Sequence, residues 1–358
     1  MHDLRLRSYH ELSGALFRQE AGWEVPSTYG PLHEEVRAVR QGSGVIDLSD
    51  RAKIQITGPD RVSFLDGLLT ADVKRLAPRT SAYALLLTDK SKVVGDLRIF
   101  VEEDRMFLDI DAAEKDAILA HIQKFLVSDD VTLAELRPCG HLEVHGPSSD
   151  VVVSRALGLD VRPMSLDAVA AFSPEKGQRG YATRVQTLGE AGFVIWAPGA
   201  SLAPTWSALV RFGATPFGRD ALEVLRIEAG VPRVGADMTL GTLALEVAPE
   251  GAISFTKGCY VGQEVVARGT YRGHINRRLM GLVVDGDAPP SRGDAVRCID
   301  QEVGHVTSGT WSPTLSRVIA LALLRIEEVT PEMILLIDHG GWDLRAKLHP
   351  LPFVRGGG

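Results

Sequence analysis

The chain has 358 residues, of which 45% are hydrophobic and 24% are charged, and these values are typical of a soluble globular protein. This length exceeds what one ordinary core supports, so we expect two or three domains. The formal net charge is −7, from 39 basic and 46 acidic residues. That balance argues against nucleic acid as the main partner, because phosphate binding needs a clustered positive surface.

The cysteine count and the termini indicate the compartment. Cys139, Cys259 and Cys298 are too few and too far apart for a disulfide framework or an all-cysteine metal site. No H-E-x-x-H pattern or Cys/His cluster occurs, so we predict no metal site. The N-terminus lacks the apolar run of a signal peptide, and no stretch reaches transmembrane length. The sequence therefore predicts a cytoplasmic protein with no membrane partner.

The first fifty residues alternate between helical and extended patterns. Residues 9–17 and 33–41 have the apolar spacing of short helices, and Gly42 ends the second one. Pro26 excludes a continuous helix between them. Residues 44–48 are predicted to form a strand.

A small α+β unit is predicted for residues 51–141. Alternating apolar residues indicate strands at 52–60, 83–87, 93–101 and 106–111, and Asp60 is a plausible N-cap for a following helix. A second helix is predicted at 113–125. This order is typical of helices packed over an antiparallel sheet. Asp96 falls within the strand at 93–101, where an acid is most often the solvent-facing residue of the alternation.

The second half of the chain contains one clear helix and a β-rich end. Residues 220–229 are predicted to form a helix that Gly230 ends. From residue 279 onward, glycines and prolines separate short strands, a pattern typical of a small barrel.

The segment KGCYVGQE at residues 257–264 has the most distinctive composition. Its thiol, Cys259, has two interpretations. It is a small buried hydrophobe in a turn, or it is an exposed functional thiol, with Lys257 nearby in sequence to favour the thiolate.

All eight of these residues match the signature K-G-C-[FYW]-x-G-Q-E of the YgfZ-type folate-binding branch of the glycine-cleavage T-protein superfamily. GWEVP at 22–26, GVIDLS at 44–49 and the run at 304–313 also resemble this superfamily, so the resemblance covers nearly the whole chain. It implies an α+β fold with three domains in a ring around a central folate-sized hole. Residues 1–50 and 142–272 would form a discontinuous folate-binding domain, 51–141 an inserted ferredoxin-like module, and 273–358 a C-terminal β-barrel.

The resemblance also implies tetrahydrofolate as the cofactor. It makes Cys259 the reactive thiol and Asp96 a proton-handling carboxylate near the reacting nitrogen of the folate. From the residues alone, Arg226 and Glu228 could equally be solvated neighbours on a helix surface. The residues that the resemblance implies in folate binding are Glu190, Arg226, Glu228, Lys257, Tyr260, Gln263, Glu264 and Arg268.

Two residues of the hairpin at 187–196 depart from the T-protein pattern. Thr187 replaces a tyrosine, and Val194 replaces the glutamate that reads the amino edge of the pterin. A buried charge-assisted hydrogen bond of that kind is worth about 1.5–3 kcal/mol. We therefore expect weaker or altered folate binding and no meaningful glycine-cleavage activity.

A basic run follows the signature: Arg268, Arg272, His274, Arg277 and Arg278. Such runs are usually solvated faces. Because arginine binds carboxylates in a bidentate manner, a second interpretation is that the run holds the glutamyl tail of a folate.

Three functions fit these observations. The leading hypothesis is a tetrahydrofolate-binding accessory protein that supports assembly or repair of iron–sulfur enzymes, with client or assembly proteins as partners. The alternative is a tetrahydrofolate-dependent aminomethyl- or methyltransferase that uses Asp96. A folate-storage scaffold without chemistry is the third.

Overall fold

The computed structural model describes residues 2–136, 139–174, 177–271 and 275–356, without the side chain of Tyr271. Its helices are α1 (Arg7–Leu12), α2 (Leu32–Gln41), α3 (Arg61–Leu68), α4 (Lys115–Phe125), α5 (Ser149–Leu157), α6 (Leu202–Arg211), α7 (Arg219–Glu228), α8 (Ala244–Val247) and α9 (Gln263–Tyr271). Short 3-10 helices occur at Val73–Arg75 and Ile326–Glu328.

The strands of the first half are β1 (His2–Asp3), β2 (Leu16–Glu20), β3 (Trp23–Thr28), β4 (Gly44–Asp47), β5 (Ala52–Thr57), β6 (Thr80–Leu87), β7 (Val93–Val101), β8 (Met106–Ile110), β9 (Thr132–Glu135), β10 (Cys139–His145) and β11 (Val169–Phe172). Those of the second half are β12 (Gly180–Val185), β13 (Gly192–Pro198), β14 (Thr215–Pro216), β15 (Arg277–Val284), β16 (Ala295–Cys298), β17 (Gln301–Ser312), β18 (Arg317–Arg325), β19 (Leu335–His339) and β20 (Trp342–His349).

The predicted α+β class and the C-terminal barrel are confirmed. Strands β15 to β20 close into a barrel in the order β15-β18-β17-β16-β19-β20. A five-stranded sheet has the order β6-β7-β8-β5-β9, and a six-stranded sheet has the order β11-β12-β13-β10-β4-β14. The six-stranded sheet joins β4 to strands that follow residue 138. The domain boundaries at 50/51, 141/142 and 272/273 stay predictions.

Each of the two larger sheets packs one face against a pair of helices. Helices α3 and α4 pack on the five-stranded sheet through a core that includes Leu65, Ile118 and Leu97. Helices α5 and α6 pack on the six-stranded sheet through a core that includes Val153 and Trp206. On their opposite faces the two sheets meet through a cluster that includes Phe100 and Trp196. Other parts of these faces pack against helices: Leu85 with α7 to α9, and Ile46 with α2 and α7.

The prediction of a helix over residues 9–17 was wrong at its C-terminal end. Helix α1 stops at Leu12, and Phe17 lies in β2, which forms a hairpin with β3. The two-residue turn of that hairpin has φ of 47° at Ala21 and 82° at Gly22. Positive φ at both central residues produces a tight turn that matches the twist of paired strands. The sequence did not indicate this turn, because alanine does not favour positive φ.

The capping role predicted for Asp60 was also wrong. Asp60 precedes α3 directly, but its carboxylate accepts a hydrogen bond from the backbone N–H of Asp130 at 2.8 Å. It therefore ties α3 to the start of β9 instead of capping its own helix.

Among the described residues, no helix is both long and apolar enough to cross a membrane.

Candidate functional site

The candidate site begins at Asp96, on the face of the five-stranded sheet that α3 and α4 leave uncovered. Directly opposed residues of antiparallel strands point to the same side, and Asp96 is opposite Leu85 while Arg98 is opposite Tyr83. Phe100, two residues beyond Arg98, packs against Trp196 of the six-stranded sheet, with ring centroids 4.0 Å apart and ring planes tilted by 50°. Asp96 thus lies on the packed face of the sheet. The alternation of the strand alone had indicated that it would face solvent.

Asp96 is half-buried and held by two hydrogen bonds. The Tyr83 hydroxyl donates to Asp96 Oδ2 at 2.6 Å, and the Asp96 backbone N–H donates to Glu114 Oε2 at 3.3 Å. Burial raises the pKa of Asp96, and the Tyr83 hydrogen bond and the charge of Arg51 oppose that rise. Asp96 therefore holds a proton more readily than a solvated carboxyl group does.

The loop from β8 to α4 brings two more carboxyl groups to Asp96, those of Asp111 and Glu114. Strand β8 ends at Ile110, which is paired with Leu97, so the loop occupies the space beside Asp96 that a longer strand would fill. Burial, together with the charges of Asp96 and Asp111, raises the pKa of Glu114 to about 9.

Two cations from the start of β5 balance this acidic group. Arg51 Nε lies 2.9 Å from Asp109 Oδ1 and its Nη1 lies 3.4 Å from Asp111 Oδ2. Lys53 is fully buried, donates to Asp109 Oδ1 at 2.8 Å, and lies 5.3 Å from the centre of the Trp196 ring. Burial opposes ionisation, yet Arg51 and Lys53 hold the pKa of Asp109 well below its usual range. Burial also lowers the pKa of Lys53.

Val194 lies across the interface from these groups. It is opposite Thr183 on β12 and Glu143 on β10, and it packs in an apolar cluster with Phe100, Phe107, Val169, Val185 and Trp196. An ionised side chain at position 194 would be desolvated there. A valine fits this position because all its contacts in the cluster are apolar.

Three buried polar atoms on β12, on β13 and in the turn between them test whether the site fits a heterocyclic ligand. Thr183 Oγ1, Thr187 Oγ1 and Trp196 Nε1 are buried and have no hydrogen-bond partner among the described residues. A buried donor without a partner costs about 1–3 kcal/mol, so a ligand that supplied an acceptor would relieve this cost. These donors and the acceptors of Asp96 have the hydrogen-bonding chemistry that a pterin ring requires.

Lys257, the first residue of the signature, is buried and committed to helix α3. Its Nζ donates to the carbonyl oxygens of Asp66, Leu69 and Ala71 at 2.6, 2.9 and 2.7 Å. An ammonium group has three donors, and these carbonyls together with Asp66 Oδ1, 3.1 Å away, occupy all of them. We therefore assign Lys257 to support of the signature loop, by neutralising the C-terminal end of α3, and not to activation of the thiol.

The rest of the signature divides into a buried anchor and an exposed tip. Tyr260 is buried, and burial raises its pKa to about 12. Gly262 has φ of +86°, and a Cβ there would lie 2.6 Å from the Thr88 carbonyl oxygen, so only glycine allows the loop to approach β6 this closely. Gln263 begins α9 and is half-buried, whereas Glu264 and Arg268 are exposed on that helix.

Cys259 is exposed, whereas Cys139 and Cys298 are each half-buried. The exposed position of Cys259 agrees with the interpretation as a functional thiol. The interpretation of Cys259 as a buried packing residue is wrong.

Arg226, Glu228 and Glu190 are buried in ion-pair networks between α7, the hairpin before β13 and the barrel. Arg226 donates to Asp237 Oδ2 and to Ser308 Oγ, each at 2.7 Å. Arg40 on α2 bridges the other two, with Nε 3.0 Å from Glu228 Oε2 and Nη1 3.1 Å from Glu190 Oε1. The interpretation as solvated helix neighbours is therefore wrong, and folate binding by these three residues stays a prediction.

The basic run separates into different environments. Arg277 pairs with Glu246, with Nε 2.9 Å from Oε1, while Arg278 lines a cavity of about 860 Å³ between α8, the end of α9 and β15. Arg272 and His274 lie outside the described residues. The run is thus not one continuous patch across its described members.

Sequence reasoning missed the groups that surround Asp96. Tyr83 was seen only as a strand residue, and Glu114, Arg51 and Lys53 were not singled out. The even spacing of Lys53 and Gln55 between apolar neighbours marked one face of β5 as polar. Nothing in the sequence indicated that this face would be buried.

An α+β protein of this kind, with a helix-covered sheet pair and a C-terminal barrel, has known relatives. A family model described as the GCVT N-terminal domain matches residues 6–257, and one described as the glycine cleavage T-protein C-terminal barrel domain matches residues 277–355. The chain belongs to the glycine-cleavage T-protein family.

The similarity extends over the full length of individual relatives. An aminomethyltransferase of Geobacillus kaustophilus is 30% identical over 357 residues, which cover 98% of each chain. One from Rubrobacter xylanophilus is 29% identical over 348 residues, covering 97% of this chain and 92% of that protein. The crystal structure of the glycine cleavage system aminomethyltransferase T from Bartonella henselae matches with a TM-score of 0.90 and 26% identity, covering 99% of this chain and 98% of that one. The predicted T-protein fold is confirmed, and the YgfZ-type branch stays a prediction.

Proposed function

We propose that this protein is a tetrahydrofolate-dependent one-carbon transferase, which moves an aminomethyl or methyl group at Asp96. The observation that carries the proposal is the placement of Asp96, whose carboxylate accepts a hydrogen bond from Tyr83 and whose backbone N–H donates to Glu114. Relatives named aminomethyltransferase match the chain from end to end, and this supports the same proposal.

Tetrahydrofolate, when bound, supplies the nitrogen that accepts the one-carbon unit. The Asp96 carboxylate accepts or returns the proton of that nitrogen, a task for a carboxyl group with a raised pKa. Tyr83 fixes the orientation of Asp96 through its hydroxyl. The apolar cluster around Val194 and Trp196 excludes water from one side of the site.

The acidic tail of a folate would be held by exposed arginines. Arg278 lines the cavity beside α8, and Arg268 lies on the exposed side of α9. Contacts between exposed charges are screened by salt, so we expect folate affinity to fall as ionic strength rises.

Calorimetric titration with unsubstituted and 5-formyl-tetrahydrofolate at low salt tests the binding part of this proposal. Arg278→Gln should weaken binding about two- to fivefold, as expected for an exposed ion pair. Arg317→Gln, an exposed arginine on β18, is the matched control and should leave the affinity unchanged. No binding of either folate at low salt would contradict the proposal.

One observation favours a second function, that of a folate-binding accessory protein for iron–sulfur enzymes. The signature thiol Cys259 is exposed at the tip of a loop whose other end is anchored by Lys257. In that case the Cys259→Ser variant should have the same folate affinity and Tm as the unaltered protein. It should nevertheless fail to restore iron–sulfur enzyme activity in cells that lack this protein. Full rescue by this variant would exclude a role for the thiol.

A further inference from the structure

Glu114 makes contacts that a surface acid at the start of a helix does not make. It immediately precedes α4, yet its side chain turns back to strand β7, where Oε2 accepts the backbone N–H of Asp96. The same oxygen would lie only 3.0 Å from a Cβ atom placed on Gly95. The Glu114 side chain also acts on the Asp96 carboxyl group as a hydrogen-bond partner that lowers the pKa of Asp96.

The groups that face this pair leave it short of positive charge. Asp111 adds a third carboxylate from the β8–α4 loop, and Tyr83 adds a hydroxyl from β6. Arg51 is the nearby cation, but it already contacts Asp109 and Asp111. Arg98 acts on Tyr83 and is bonded to Asp167 and Ser81. Two neighbouring carboxyl groups to which the described residues give no cation of their own cannot both ionise readily.

We infer that Glu114 is a positioning residue that holds a proton beside the Asp96 carboxylate near neutral pH, so that the two carboxyl groups work as one pair sharing a proton. In this state both the Glu114 carboxyl O–H and the Tyr83 hydroxyl donate to Asp96. Asp96 therefore keeps a single negative charge and a fixed orientation. Its pKa and that of Glu114 then belong to the pair and not to either residue alone.

The use of this pair in transfer rests on the proposed function, whereas its existence does not. When the Asp96 carboxylate accepts a proton from the folate nitrogen, the pair passes from one proton and one negative charge to two protons and no charge. Release of one proton to solvent restores the first state. No further reactant is needed.

Infrared difference spectroscopy of the full chain without folate tests the inference directly. We expect the C=O stretch of one protonated carboxyl group near neutral pH, lost as the pH rises through about 9. Glu114→Gln should abolish this band. Asp96→Asn should move its titration to lower pH by at least about one unit, because the neighbouring charge is gone. Asp116→Asn, on the exposed side of α4, is the matched control and should change nothing.

The two variants also protect the test against misfolding. If Glu114→Gln does not fold, the shift in Asp96→Asn still decides the question. Absence of the band in the unaltered protein, persistence of the band in Glu114→Gln, or an unshifted titration in Asp96→Asn would each overturn the inference. A band that behaves as expected in a protein without transferase turnover would leave the pair intact and contradict only the proposed function.

Discussion

Lys257 Nζ lies 3.1 Å from Asp66 Oδ1, although 190 intervening residues separate the two in the chain. Because the same ammonium group also binds three backbone carbonyls at the end of α3, this contact joins the signature loop to the five-stranded sheet and its helices. The signature lysine is thus a link between two parts of the fold.

Replacement of Lys257 should therefore reduce stability. Loss of one partner of a buried ion pair costs about 3–5 kcal/mol. Lys257→Met leaves three carbonyls without this donor and removes the buried cation from Asp66, which keeps the Val73 N–H and the exposed Lys74 ammonium group. We expect a clearly lower Tm in thermal unfolding, while Lys90→Met, at an exposed lysine, leaves it unchanged. An unaltered Tm for Lys257→Met would show that these contacts do not stabilise the loop.

Cys259 should react with a thiol-alkylating reagent faster than Cys139 or Cys298. It is exposed, whereas the others are half-buried, and burial raises the pKa of the Cys139 thiol. Mass spectrometry of the partly alkylated protein gives the order of reaction, and Cys259→Ser is the control for assignment. If the loop borders the folate site, bound tetrahydrofolate will slow the reaction. Equal rates at all three thiols would contradict the assigned exposure.

Glu143 should make the fold sensitive to acid. Its carboxylate is bonded to His141 at 3.0 Å and to His145 at 2.8 Å, and these bonds, against burial, lower its pKa. A depressed carboxyl pKa contributes stability above the unfolded value of about 4.3 and loses it as the pH falls below that value. Glu143→Gln should therefore lower the Tm near neutral pH and have a smaller effect near pH 3.

The control for that experiment is Glu103→Gln, at an exposed glutamate, which should be neutral at both pH values. If Glu143→Gln lowered the Tm equally at neutral and acidic pH, the packing of the Glu143 side chain, and not its charge, would account for the effect.

Glu114 should have the opposite dependence on pH. Its pKa in the folded protein, about 9, lies above the unfolded value, so the folded state binds the proton more tightly. Stability from this group is present below about pH 4.3 and is lost as the pH rises toward 9. Glu114→Gln cannot ionise, so it should raise the Tm at mildly alkaline pH and leave it nearly unchanged near pH 4. A lower Tm at alkaline pH would contradict the raised pKa.

Much of the fold was predictable because it depends on local patterns. The alternation in β7 and the glycine- and proline-separated strands of the barrel are visible in the sequence. The end of α1 was not predictable, because the positive φ of Ala21 comes from the hairpin and not from the residue type.

The candidate site was predictable only in part. Asp96 was found through resemblance, but its partners Tyr83 and Glu114 lie 13 and 18 residues away, and the contact with Glu114 depends on where β8 ends. Lys257 appeared to belong to Cys259 because the two are close in sequence. Its actual partners on α3 require the tertiary fold.

The sequence alone favoured negligible glycine-cleavage activity, because of Thr187 and Val194, and this expectation stands against the proposed transfer. The decisive measurement is formation of methylenetetrahydrofolate from tetrahydrofolate and an aminomethylated lipoyl carrier protein, with Asp96→Asn beside the unaltered chain. We predict turnover that Asp96→Asn reduces by about 100-fold or more, the contribution of a proton-transferring group. No turnover by the unaltered chain while it binds tetrahydrofolate, or equal turnover in Asp96→Asn, would contradict it.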